Sequence, residues 1–347
     1  MSDILNIDAI NEQQLMSSNA KKLEPVASDT QGMQSVTARY LSYINPFHFK
    51  KRGTRGKAYI ALAAVCFLWG IAWLVSKEGV RYMPALQLAG IRQFVGGICF
   101  VIFFLYKGKT LPKGDEWKSI FILSFLNFIL SNGLSTWGVK YISAGLGSII
   151  GSIFPLWLVI IHLSGSKTKL NSKTTIGLLL GFTGICVIFY EHLHEFFNPQ
   201  FRFGIFLSLI STWSWALGMI YTKKHAANFN PYFSLGLQMV VAGIFLIFIT
   251  NVTNTAIPLV QIPWQSWAAI GYLIVFSSFI AFIAFLYALQ NLSTEQTSLY
   301  AYVTPIISII LGWLLLNEMM TVFIIWGSII TLSGVYFVNK GGIATKK

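Results

Sequence analysis

From about residue 58 onward, long apolar runs alternate with short polar connections. The runs are continuously apolar for about twenty residues, the length a helix needs to cross a bilayer. Ten such spans are predicted, at about 58–76, 85–106, 117–138, 142–163, 174–190, 203–221, 232–250, 267–289, 296–316 and 322–339. A transmembrane barrel would instead show shorter segments of alternating polarity. No connection is long enough to hold an extramembrane domain.

Composition narrows the class. Of 347 residues, 55% are hydrophobic and 11% charged, with a mean hydropathy of +0.64. Soluble domains carry about 25% charged residues. The composition excludes disorder and a disulfide scaffold, and it argues against an ordinary soluble enzyme, since too little charge remains to cover a globule in water. The expected fold is an all-α polytopic protein of the cytoplasmic membrane. Cys66, Cys99 and Cys186 each lie inside an apolar run, in no metal or disulfide pattern.

The net charge of +13 is spread as clusters between spans, a pattern of membrane loops rather than of a nucleic-acid surface. With the N-terminus inside, seventeen Lys and Arg fall in cytoplasmic segments, including Lys50–Lys57, Lys107–Lys118 and Lys167–Lys173. Only Lys77, Arg81, Lys140 and Arg202 fall outside. The positive-inside rule then places both termini in the cytoplasm. Residues 1–57 are polar and short of core-forming residues, so they are expected to be mostly disordered. The end of this tail, with Tyr40, Tyr43, Phe47 and Phe49 before Lys50, Lys51 and Arg52, suits the membrane interface. Residues 340–347 form a second, short basic tail.

The two halves repeat each other. Trp117, Pro155, Gly177 and Gly184 meet Trp267, Pro305, Gly327 and Gly334 at a constant offset of 150. Trp69, Lys77, Arg92 and Gly97 meet Trp215, Lys223, Gln238 and Gly243 at an offset of 146. Five spans per half is an odd number, so the second half enters the membrane in the opposite sense. Residues 58–190 and 203–339 are thus expected to form two inverted five-helix repeats, the architecture of carriers that alternate their access.

Several stretches resemble the EamA-like permeases of the drug/metabolite transporter superfamily. They are FLWGIAWLVSK (67–77), its second copy STWSWALGMIYTKK (211–224), IRQF (91–94), and TEQTSLYAYVTPIISIILGWLLLNE (294–318) with Pro305, Gly312, Trp313 and Glu318. The resemblance covers residues 58–339 as two tandem EamA domains. It implies that spans four and nine border the substrate cavity, and that Glu318 has a fold or gating role. Thr168 departs from the pattern, standing where the first repeat would match Glu318.

Polar and aromatic residues within spans are the site candidates, because a polar group in hydrocarbon must face a cavity or a partner helix. Asn127, Ser131, Asn132 and Ser135 recur at helical spacing in the third span. Ser277, Ser278, Tyr287 and Gln290 do so in the eighth, and Gln296, Ser298, Tyr300 and Thr304 in the ninth. Trp69, Trp73, Trp213 and Trp215 sit mid-span, where each indole N–H needs a partner. The expected lining is Trp69, Asn127, Asn132, Trp215, Tyr287, Gln296 and Tyr300.

Pro155 and Pro305 are mirror-related candidate hinges in spans four and nine. Arg92 lies about eight residues, some 12 Å, inside its span. It must face the interior, as a ligand for an anionic group or as a cap or pair within the bundle. Glu295 and Glu318 are candidate carriers of a coupling proton.

The EHLHE stretch (191–195) has no further ligand near it in sequence, and neither a P-loop nor HExxH is present. No cofactor, metal, ATPase partner or catalytic acid–base cluster is therefore expected. The expected function is a secondary transporter exporting a small organic metabolite, such as an amino acid. The alternatives are an importer or exchanger of a nucleoside-like metabolite, and a non-transporting membrane protein.

Overall fold

The computed structural model describes residues 55–165, 172–191, 194–225, 230–292 and 300–341. The tail up to residue 54, Thr168, Glu295 and Gln296 lie outside the described residues. All regular structure among the described residues is helical.

Helices α1 (Arg55–Tyr82) and α2 (Ala85–Tyr106) are joined at Pro84. A proline just before a helix costs nothing there, since the first N–H groups of a helix lack intrahelical partners anyway. Helix α3 (Glu116–Gly138) is followed by α4 (Ala144–Ser152) and α5 (Phe154–Gly165). Next come α6 (Ser172–Glu191), α7 (Pro199–His225) and α8 (Pro231–Val252). The chain ends with α9 (residues 264–291), α10 (Tyr300–Leu316) and α11 (Val322–Gly341). Seven of these helices are long and apolar enough to cross a membrane, and α10 and α11 are shorter apolar helices.

Two local features differ from the sequence reading. The fourth span is not one helix: it breaks at Ile153 (φ −80°, ψ 1°) between α4 and α5. Pro155 lies in the first turn of α5, where its missing N–H removes no helical bond. Its mirror Pro305 instead lies inside the unbroken α10. Secondly, the middles of α3 and α9 are π-helical, over Ser124–Gly133 and Leu273–Ile280. Shifted by 150 residues, the first nearly coincides with the second. Composition carries no signal for this, because bonding to i+5 rather than i+4 is settled by neighbouring helices.

The halves interleave. Helix α2 packs on α8, and α6 on α11. Helix α1 lies against α9 and α10, while α7 lies against α3, α4 and α5. Exchanging the halves maps this set of contacts onto itself. Glycines permit the closest approaches. A Cβ on Gly97 would lie 2.8 Å from Gly236 O, and one on Gly177 2.6 Å from Gly334 O. Without hydrophobic expulsion between helices in lipid, such backbone contact is what holds membrane helices together.

Candidate functional site

The aromatic wall begins on α1. Trp69 meets Tyr300 of α10 edge to face, with ring centroids 5.2 Å apart, and Phe285 of α9 at 5.3 Å. Phe285 and Tyr300 are themselves 5.3 Å apart, so the three rings form a closed trio across three helices. Edge-to-face pairs of this kind place the positive ring edge on a negative face. Tyr287 joins Tyr300 against a small buried cluster of Ala58, Leu62, Cys66, Ala288 and Leu292.

Ser277 is the junction of this wall with α2. Its carbonyl accepts the Trp69 indole N–H at 3.2 Å. Its hydroxyl accepts from Arg92 Nη2, also at 3.2 Å. The carbonyl is available because Ser277 lies in the π-helical part of α9. Arg92 is buried, at 8% exposure, and its Nε has no hydrogen-bond partner among the described residues. The one ion pair among the described residues is Arg81 with Glu78, so no described acid neutralises Arg92. A buried guanidinium held by one serine hydroxyl is an unbalanced charge.

The expected polar stripe of α3 is divided between neighbours. Asn132 Oδ1 accepts from Gln93 Nε2 of α2 at 2.7 Å. Asn127 instead lies against Gly218 of α7, where any Cβ would overlap its Oδ1, and that buried oxygen has no hydrogen-bond partner. Trp215 is half-buried on α7. Close by, Ser214 Oγ donates to the Leu126 carbonyl in the π-helical part of α3, at 2.8 Å. Thus each π segment offers a carbonyl to a side chain on the first helix of the other half.

Trp69, Tyr287 and Tyr300 therefore stand on the α1–α9–α10 side, Asn127 and Trp215 on the α3–α7 side, and Asn132 against α2. Trp213 is 42% exposed. Trp73 packs on the α4 glycines instead: a Cβ on Gly151 would lie 2.9 Å from its ring. Phe285 was not singled out from sequence, since one Phe among 28 carries no signal.

At the far end of α10, Glu318 does more than close a helix. Its Oε1 accepts the Ala144 N–H at 2.6 Å and its Oε2 the Gly145 N–H at 3.1 Å. A carboxylate at a helix N-terminus satisfies orphan donors and suits the helix dipole.

Two interleaved halves of apolar helices, with paired π segments, give the described residues the architecture of a polytopic membrane protein. Residues 56–190 and 202–340 each match the EamA-like transporter family, and the chain belongs to that family. It is 27% identical over 300 residues to the uncharacterized transporter YvbV of Bacillus subtilis, covering 85% of this chain and 96% of that one. It is 28% identical over 257 residues to the uncharacterized inner membrane transporter YedA of Escherichia coli K12, covering 73% and 80%. A WAT1-related chloroplastic protein of Arabidopsis thaliana is 25% identical over 287 residues, covering 81% and 69%. A solved crystal structure shares the fold at a TM-score of 0.58 and 15% identity, covering 83% of this chain and 98% of that one. The protein is a multi-pass transporter of the cell membrane.

Proposed function

We propose that this protein is a secondary carrier that exports a small zwitterionic metabolite of the amino-acid type by alternating access. Residues 58–190 and 203–339 are its two inverted five-helix repeats. The segments 1–57 and 340–347 are cytoplasmic. The solute site lies between the halves, lined by Trp69, Asn127, Asn132, Trp215, Tyr287, Gln296 and Tyr300, with Arg92, Pro155, Pro305 and Glu318 shaping or gating it.

One observation carries the choice of solute. Arg92 is buried beside the Trp69–Phe285–Tyr300 trio, bonded to Ser277 alone, with no described acid to balance it. A solute carboxylate supplies the missing charge, and the rings accept an apolar side chain. The same lining disfavours a multivalent cation, since it offers no carboxylate to offset desolvation.

The test is flux of labelled amino acids and their uncharged amides through purified protein in liposomes. Carboxylate-bearing solutes should move, the amides should not, and Arg92→Gln should abolish the difference. Vesicles of defined orientation give the direction. Best transport of a multivalent cation, with Arg92→Gln silent, would overturn the assignment.

A further inference from the structure

The gating role proposed for Glu318 can be taken further at the cluster where the C-terminal ends of α1 and α10 meet. Glu318 follows Asn317, whose left-handed backbone (φ 53°) turns the chain back on α10. The turn is closed by the Glu318 N–H on the Gly312 carbonyl at 3.1 Å. A Cβ on Gly312 would lie 2.5 Å from Glu318 Oε2, so only glycine leaves room for the carboxylate. Directed this way, Glu318 accepts the first two N–H groups of α4. The third, from Leu146, goes to the Ser143 hydroxyl at 3.0 Å. From α1, Lys77 Nζ donates to the carbonyls of Ile142 and Lys140 just before α4, at 2.7 and 3.3 Å. The start of α4 is thus gripped by an acid from one half and a base from the other.

The surroundings give this grip something to control. A small hollow of about 10 Å³, room for about one water, lies beside the carboxylate, bordered by Gly145, Leu146, Ile149, Ile188 and Ile309. A surface depression of about 380 Å³, bordered by Asn317, Met319 and Thr321, lies next to it. Glu318 borders both. The break at Ile153 separates α4 from α5, so α4 can move as a nine-residue unit. The repeat does not copy this acid, since Thr168 occupies the equivalent sequence position.

We propose that Glu318 and Lys77 form a polar latch holding α4 in its closed position at the extracellular end, and that opening to that side requires the carboxylate to leave the α4 N-terminus. The extracellular placement rests on the topology proposed above. The acid of the latch has no counterpart at the equivalent sequence position of the other repeat, so the latch favours the state closed to the outside. Two charge-assisted bonds are lost on opening, and water from the surface depression replaces them.

The test needs no solute, so it stands apart from the transport reading. Ile149 is 1% exposed and borders the hollow. In the full-length protein with Cys66, Cys99 and Cys186 changed to alanine, Ile149→Cys is labelled by a membrane-impermeant maleimide added to intact cells. Labelling should be slow, and about tenfold faster with Glu318→Ala, the shift expected for loss of about 1.4 kcal/mol. Glu318→Gln, which keeps one acceptor, should fall between, and Lys77→Gln should also accelerate labelling. Should Glu318→Ala fail to reach the membrane, Lys77→Gln decides by the same criterion. Unchanged labelling in a variant present at parental levels, or rapid labelling of the parent, would overturn the latch.

Discussion

At the residue scale, the chemistry of this carrier depends on single atoms whose partners come from distant helices. Ser277 illustrates this, with its carbonyl taken by Trp69 and its hydroxyl by Arg92, 208 and 185 residues away. Trp69→Phe keeps the aromatic trio but leaves the Ser277 carbonyl unpaired, at a cost of about 1–3 kcal/mol if water cannot reach it. We expect a lower melting temperature in detergent and reduced flux. Tyr300→Ala and Asn127→Ala should each weaken transport with little loss of folded protein, measured as initial rate per mole of monodisperse protein. Asn127→Ala removes a buried oxygen that has no hydrogen-bond partner, so it should even raise stability. Unchanged flux in both variants would remove α3 and α10 from the site.

At the scale of elements, glycine contacts tie the halves together. A Cβ on Gly184 would fall 2.6 Å from the Gly327 carbonyl, as does the same change at Gly177 against Gly334. Gly184→Ala must push α6 off α11, with an expected destabilisation of about 1–3 kcal/mol. Gly271→Ala is the control, since nothing lies within 4 Å of its added Cβ. Thermal unfolding in detergent should separate the two; equal melting temperatures would mean that these helices are not in tight contact. Pro305 lies inside α10 and leaves the Ala301 carbonyl without its helical N–H. Pro305→Ala restores that bond, so it should stiffen the helix and slow turnover while raising the melting temperature.

At the scale of the whole molecule, the interleaved halves and the charge distribution both bear on orientation. The ends of α1 and α10 meet the start of α4 at one end of the bundle, through Lys77 and Glu318. At the other, Ala58 and Leu62 of α1 meet Ala288 and Leu292. Cysteines introduced singly at Asn198 and Asn254 should therefore label from outside intact cells, and one at Lys169 should not. Labelling at Lys169 alone would reverse the topology. Deletion of residues 1–40, which have no core-forming pattern, should leave membrane levels and flux intact. Lost transport at normal levels would assign the tail a part in the cycle.

The class, the approximate positions of the spans and the twofold repetition were legible in the order of residues alone. Apolar runs about a bilayer long have one stable solution in lipid, because every backbone N–H must be satisfied within its own helix. Rare residues such as Trp117, Trp267, Pro155 and Pro305 carry the repeat visibly. The interior position of Arg92 was also legible, since a charge so deep in hydrocarbon is costly unless it faces the bundle interior. What was not legible was pairing. The π turns of α3 and α9, the break at Ile153, and the separation of Asn127 from Asn132 each depend on which helix packs alongside. The reach of Glu318 to the N-terminus of α4, 174 residues away, is of the same kind. Hydropathy is a property of one segment, whereas a hydrogen bond between segments exists only once the bundle has brought donor and acceptor within about 3 Å.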